Sequence, residues 1–296
     1  MTPTWRELAA DLDSELGGLR HETRLVLLSS TPHPWAFLAA HLDEKAEGEA
    51  VALARRKAAE RRSGVPLQWV VGAWGFRGID VKVDGRALVP RPETEIVVEV
   101  ALGELERMAA ASPREPVRLA LDLGTGSGVI ALSLAAERSD LEVLAVDRSA
   151  EALSLARENL AELAVGTDPT LSARVRLAEG DWYAAVGEEL RGRVDIVVAN
   201  PPYLAEAEWE QLDPVVRDHD PYGALVAGPT GLEAIEAVVG GAATFLRPTG
   251  SVVAELAPAQ AGAATEVARA AGLGEVVVLE DLTGRPRVLR ARRRPR

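Results

Sequence analysis

Apolar residues recur at helical spacing through roughly the first 62 positions, in WRELAADLDSEL and PWAFLAAHL, with no strand-like alternation among them. This predicts a helical region broken at Gly17 and Gly18 and again around residues 31–34. Its last helix ends in a basic run (Arg55, Arg56, Lys57, Arg61, Arg62), and Ser63-Gly64 reads as the stop. The pattern then changes. Trp69, Val70, Val71, Trp74 and Phe76 form a β-prone, aromatic stretch, and after Arg77-Gly78 the residues Ile79, Val81 and Val83 alternate with polar neighbours. A β-hairpin is predicted there, its aromatics serving mainly as packing. The resulting division is a helical domain over 1–64, a hairpin linker over 65–91 and a larger domain over 92–296.

In the larger domain, short apolar runs alternate with helical periodicity. Strands are expected at 117–122, 142–147, 174–178, 194–199, 251–256, 275–280 and 287–290, with helices at 128–137, 149–163, 232–246 and 259–271. Apolar strands alternating with helices predict an α/β fold whose mostly parallel sheet is covered on both faces. The last two strands are joined by a short turn, so they should pair antiparallel at one edge. The basic run over 290–296 reads as a solvated, frayed end.

Composition narrows the chemistry. The formal net charge of -12 argues against a surface that tracks nucleic-acid phosphate throughout. The absence of cysteine excludes disulfides, thiolate ligands and a cysteine nucleophile, and no metal site is expected. The N-terminus lacks the apolar core of a signal peptide, and no run of about 18 apolar residues predicts a membrane span. A monomer in the cytoplasm is the expectation.

Three strand ends carry candidate ligand-binding residues. Gly124-Thr125-Gly126-Ser127-Gly128 follows the first parallel strand and opens a helix, where glycine lets the backbone turn and approach a ligand. Val129 stands where a dinucleotide fingerprint would place glycine or alanine, so a cofactor without a pyrophosphate fits better. Asp147, 19 positions beyond Gly128, lies where a carboxylate accepts ribose hydroxyls. Ser149 is a good helix cap, which should leave Asp147 free for that role. At the next strand end, Trp182 offers an apolar face to a base and Asp181 an acceptor for an exocyclic amine.

The most informative run is Asn200-Pro201-Pro202-Tyr203, delivered by a buried strand to the same edge. An amide nitrogen is a poor nucleophile because its lone pair is delocalised. A site for it must hold the nitrogen in line and accept its hydrogens. The Asn200 oxygen and the Pro201 carbonyl are suitable acceptors, and Tyr203 gives a planar group a face to stack on. Such catalysis works by positioning and fixed dipoles and requires no strong base.

The glycine loop with Asn-Pro-Pro-Tyr resembles class I, Rossmann-like methyltransferases acting on planar nitrogen. Leu88-Val-Pro90-Arg91-Pro92-Glu93-Thr94-Glu95 resembles the signature of the release-factor glutamine N5-methyltransferases, the PrmC/HemK family. The similarity continues through Pro66-Leu-Gln68 and Gly72, the run from Asp147 to Asn159, Ala224-Leu225 with Gly231-Leu232, and Asp281-Leu-Thr-Gly-Arg-Pro-Arg287. The resemblance implies a seven-stranded sheet, S-adenosylmethionine as cofactor, and the glutamine of a Gly-Gly-Gln motif in peptide chain release factors as target. It also implies that the N-terminal helices help recognise the release factor. By position, Gly124 to Gly128, Asp147, Trp182 and Asn200 would contact the cofactor, and Asn200 to Tyr203 the substrate amide. Asp220-Pro221 stands where the family usually has Glu-Pro, and Leu256-Ala257-Pro258 where a glycine usually follows Glu255.

Three other readings fit the same residues. A nucleic-acid base methyltransferase would need a flipped base and a basic, aromatic-lined channel, and the charge weighs against direct DNA binding. A ribosomal-protein glutamine is a second possible target. A catalytically silent cofactor-binding module is the third, against which the intact tetrapeptide argues.

Overall fold

The structure, a computed structural model, describes residues 2–111 and 119–295. Of the strand expected at 117–122, Val117 and Arg118 lie outside the described residues, as does Arg296 of the basic tail. The chain divides into two compact units. One takes the chain up to Trp74 together with Pro214–His219, and the other takes Gly75–Asp213 and the chain from Asp220 onward.

The first unit contains α1 (Trp5–Glu15), α2 (Arg20–Leu28), α3 (Trp35–Ala40), α4 (Gly48–Arg62) and α5 (Leu67–Val71). Thr4 starts α1 with a capping box. Its hydroxyl accepts from the Glu7 N–H at 3.1 Å, and its own N–H donates to the Glu7 carboxylate at 2.7 Å. Leu8, Leu12, Val26, Ala54 and Ala58 pack into the core of this unit, each fully buried leucine contributing about 1.5–3 kcal/mol. The expected strand character of Trp69-Val70-Val71 is not realised. These residues are helical because Leu67 and Val70, three apart, bury on one helix face. Gly72 then ends the turn in a left-handed conformation (φ 87°), and its N–H bonds the Gln68 carbonyl at 2.8 Å.

Strand structure begins at β1 (Ala73–Phe76) and β2 (Ile79–Lys82), which form a two-stranded sheet as the alternation predicts. Then follow α6 (Thr94–Ala111), β3 (Leu119–Leu123), α7 (Val129–Glu137), β4 (Glu142–Asp147), α8 (Ala150–Gly166), α9 (Leu171–Arg174), β5 (Val175–Glu179) and β6 (Val194–Ala199). The chain continues through β7 (Leu204–Ala205), α10 (Pro214–Arg217), α11 (Tyr222–Leu225), β8 (Val226–Gly228), α12 (Glu233–Phe245), β9 (Leu246–Glu255), α13 (Ala261–Ala270), β10 (Leu273–Glu280) and β11 (Pro286–Arg293).

The main sheet has seven strands among the described residues, in the order β10-β11-β9-β6-β3-β4-β5. β3, β4, β5, β6 and β9 run parallel, while β11 pairs antiparallel with both β9 and β10. Every residue of β3 and β6 is buried, which explains why these strands read as continuous rather than alternating apolar runs. From β3 the chain builds outward to β4 and β5 on one side, then returns to place β6 and β9 on the other. The reversal opens a crevice at the carboxyl ends of β3 and β6, where open α/β sheets bind ligands.

The basic tail is ordered through Arg293 rather than frayed. The cause is Glu104 on α6, which is buried beneath it. The Glu104 carboxylate accepts from Arg292 at 2.7 Å, from Ser251 at 2.7 Å and from Arg107 at 2.9 Å. Burial raises its pKa, but these bonds outweigh burial and hold it down at about 2. A run that looks like a solvated cationic end is therefore the last strand, docked by an internal carboxylate.

Candidate active site

The parallel strands deliver their carboxyl ends to one edge, and a cavity of about 250 Å³ opens there, within the second unit. Its wall includes Gly124, Thr125, Gly126 and Ser127 after β3, Asp147 after β4, Asp181 and Trp182 after β5, and Asn200 and Pro202 after β6. Gly128, Pro201 and Tyr203 do not line it.

The loop after β3 is held from both sides. The N–H groups of Gly124 and Thr125 both donate to the Val146 carbonyl, at 2.8 and 3.0 Å. Gly124 adopts φ 74°, and a Cβ added there would lie 3.2 Å from the Trp182 indole, so the glycine serves both the turn and the ring's approach. Trp182 itself has φ 47°, a left-handed conformation that costs a non-glycine residue about 1–2 kcal/mol. Gly128 supplies the N-cap of α7 with φ 88°, and a Cβ there would meet Ala156 at 3.3 Å. Its role is close packing against α8, not contact with the cavity.

Asp147 differs from expectation. Ser149 does cap α8, accepting from Ala152 N–H at 3.1 Å, but Asp147 is not thereby left free. One carboxylate oxygen accepts from Gly126 N–H at 2.8 Å and the other from Ser149 N–H at 2.9 Å. A carboxylate has roughly four acceptor positions. Asp147 can therefore fasten the glycine loop and still accept from a ligand.

The tetrapeptide is fixed at several points. The Asn200 side-chain NH₂ donates to Thr94 Oγ1 at 3.1 Å. Tyr203 donates its N–H to the Leu225 carbonyl at 3.1 Å, and its carbonyl accepts from Gln260 Nε2 at 3.0 Å. Burial pushes the Tyr203 phenol above its ordinary pKa, so it stays protonated. Arg91 reaches Asp220 at 2.9 Å. Asp220 thus meets an arginine that lines the cavity.

Three residues here were not singled out individually from the sequence. Asp122 is fully buried on β3, where one oxygen accepts from Thr125 Oγ1 at 2.6 Å and Ala131 N–H at 3.2 Å. Burial pushes its pKa up to about 7, against the lowering effect of those two bonds. Thr94 and Glu255, 2% and 3% exposed, meet at 2.7 Å behind Asn200. Burial likewise raises Glu255 to about 7, although the Thr94 bond and Arg287 pull it down. A carboxylate inside an apolar strand such as Leu-Ala-Leu-Asp-Leu was the available signal for Asp122.

These two shifts set a pH dependence. Both folded pKa values lie above the ordinary 3.8 and 4.5. Their contribution to stability is therefore full below those ordinary values and is lost as pH rises through about 7. Denaturant unfolding at pH 5 and pH 8 should show the wild type weaker at pH 8 from these groups. Glu255→Gln should shrink the difference, and an unchanged difference would contradict the assignment to Glu255.

Comparison with known proteins agrees with this geometry. The Methyltransferase small domain family matches residues 105–214. The release factor glutamine methyltransferase of Cereibacter sphaeroides is 40% identical over 257 residues, covering 87% of this chain and 85% of that protein. The protein of the same name from Deinococcus radiodurans is 44% identical over 235 residues, covering 79% and 77%. The one from Bordetella pertussis is 38% identical over 281 residues, covering 95% and 97%. Among solved structures, the hMettl16 catalytic domain in complex with MAT2A 3′UTR hairpin 6 matches with TM-score 0.56 and 15% identity, covering 89% of this chain and 93% of that one. At that identity the likeness speaks for the methyltransferase fold alone. Identity of this level over nearly the whole length, in a chain whose sheet, cavity and tetrapeptide fit the same chemistry, places it among known enzymes: the chain belongs to the release factor glutamine methyltransferase family.

Proposed function

We propose that this protein transfers a methyl group from S-adenosylmethionine to the side-chain amide nitrogen of the glutamine in the Gly-Gly-Gln motif of peptide chain release factors. The observation that carries the reading is the placement of Asn200, through its bond to Thr94, on the wall of the cavity formed by the glycine loop, Asp147 and Trp182.

The residues present suit this cofactor. Gly124 leaves the space into which the Trp182 ring fits, so the indole can flank a base. Asp181 is exposed at the cavity wall, where it can accept from an exocyclic amine. Asp147 has acceptor positions left for ribose hydroxyls, and residues 124–127, which line the cavity, form the bed for the amino-acid end. Bound there, S-adenosylmethionine supplies an electrophilic methyl group on a positively charged sulfur. Asn200 Oδ1 and the Pro201 carbonyl accept the hydrogens of the substrate amide, which keeps electron density on its nitrogen. Pro202 and Tyr203 fix the plane of that amide. No residue has to remove a proton from the neutral amide before attack. The helical unit is the part we assign to recognition of the release factor.

Peptide mapping of a release factor after incubation with enzyme and cofactor tests the reading. One added methyl on the glutamine of Gly-Gly-Gln supports it. An unmodified peptide, with cofactor binding confirmed, removes it.

A further inference from the structure

We propose that Thr94 and Glu255 are positioning residues that determine which end of the Asn200 amide faces the cavity. The inference rests on the reading that Asn200 accepts hydrogens from the substrate amide, and it assigns the origin of that polarity.

Three side chains form a directed chain. Glu255 closes β9, Thr94 opens α6 and Asn200 follows β6. Thr94 Oγ1 and Glu255 Oε2 are 2.7 Å apart, and Asn200 Nδ2 lies 3.1 Å from the same Thr94 oxygen. An ionised carboxylate can only accept. The single Thr94 hydroxyl hydrogen is therefore committed to Glu255, and Thr94 offers Asn200 nothing but lone pairs. Asparagine can meet lone pairs only with its NH₂ end. Its oxygen is then the polar atom left for the cavity that Asn200 lines.

This matters because the two ends of an asparagine amide have nearly the same shape, and a half-turn exchanges them. Turned the wrong way, Asn200 would set its NH₂ against the NH₂ of the incoming amide, donor against donor. Nothing in the shape of the site forbids that error; the charge on Glu255, passed through one hydroxyl, does. A neutral Glu255 can donate to Thr94, which releases the Thr94 hydrogen toward Asn200 and removes the constraint.

Glu255 is faced by Thr94 from α6, by Arg91 and Glu93 from the segment before it, by Arg287 from β11 and by Tyr203 after β6. Its pKa of about 7 places the change in polarity near neutral pH. The rate of methyl transfer should therefore rise with a limb near that value, and Glu255→Gln should lack the limb.

The chain provides its own probe. It contains two asparagines, Asn159 and Asn200. The Asn159 side-chain NH₂ donates to the Ser127 carbonyl at 2.9 Å and the Lys82 carbonyl at 3.3 Å, independently of Thr94, and serves as the internal reference. The experiment is selective ¹⁵N-asparagine NMR of the full chain, with kinetics on a release factor in parallel. In Thr94→Val the Asn200 side-chain amide signals should move and lose exchange protection while those of Asn159 stay. Thr94→Ser should restore them. In the wild type the Asn200 signals should titrate near pH 7, and in Glu255→Gln they should not. Correspondingly, kcat should fall about 10- to 100-fold in Thr94→Val with KM for the cofactor little changed, and Thr94→Ser should recover it. Asn200 signals indifferent to both substitutions, or a Thr94→Val enzyme with wild-type kcat, would overturn the proposal. If Thr94→Val does not fold, Glu255→Gln and Thr94→Ser decide. The NMR measurement uses no methyl acceptor, so a failure of the release-factor reading, seen as a wild type that does not turn over, is separable from a failure of the positioning chain.

Discussion

Asn200→Ala lowers kcat for methyl transfer by about 10²–10³-fold, the usual cost of removing one fixed hydrogen-bonding group aimed at the reacting atoms, and leaves cofactor binding within a few-fold. Asn200 is held at the end of a fully buried strand and tied to Thr94 at 3.1 Å, so its oxygen is in place before the substrate arrives. The role proposed for it is to draw the hydrogens of the substrate amide and keep the nitrogen lone pair available, a contribution that grows as positive charge develops on that nitrogen. The cavity proposed for the cofactor, by contrast, is walled mainly by residues after β3, β4 and β5. Single-turnover kinetics with calorimetry of cofactor binding separates the two effects. Turnover near wild type would remove Asn200 from the chemistry. Lost turnover together with lost cofactor binding would make it chiefly a cofactor ligand.

Asp147→Ala weakens S-adenosylmethionine binding by roughly 1–3 kcal/mol, toward the upper end of that range, because hydrogen bonds to a charged group are the strong ones. Two losses combine. The proposed ribose acceptor disappears, and the Gly126 N–H at 2.8 Å loses the carboxylate that fastens the loop. Asp147→Asn is the milder test, since its single oxygen can still fasten Gly126 but the charge and half of the acceptor positions are gone. Calorimetry of the two variants against the wild type is the check. Unchanged affinity in Asp147→Ala would leave Asp147 as a loop fastener alone.

Much of this was legible in the chain. The helical region, the alternation of strand and helix, the antiparallel final pair and the three strand-end clusters follow from periodicity and from glycine and proline placement. Gly124 to Ser127, Asp147, Asp181, Trp182, Asn200 and Pro202, anticipated from strand ends, lie around one cavity, whereas Gly128, Pro201 and Tyr203 do not line it. What escaped was long-range partnership. Trp69-Val70-Val71 has the composition of a strand, and tertiary burial of Leu67 and Val70 makes it a helix. The terminal arginines look solvated until Glu104, 188 positions from Arg292, is placed beneath them. Asp147 appeared free because a cap for α8 was available at Ser149, and no local rule says that the loop also takes its carboxylate. Thr94 and Glu255 lie 161 positions apart, and their meeting behind Asn200 is a property of the sheet order that no local pattern encodes. The sequence does contain each partner, but it does not say which ones meet.

The proposed methyl acceptor is the glutamine of Gly-Gly-Gln. The measurement that tests it most directly is transfer of labelled methyl from S-adenosylmethionine to a purified release factor, beside the same factor with Gly-Gly-Ala in place of Gly-Gly-Gln. Label on the first and none on the second is the predicted result. Equal label on both, or none on either while the enzyme binds cofactor, would contradict it.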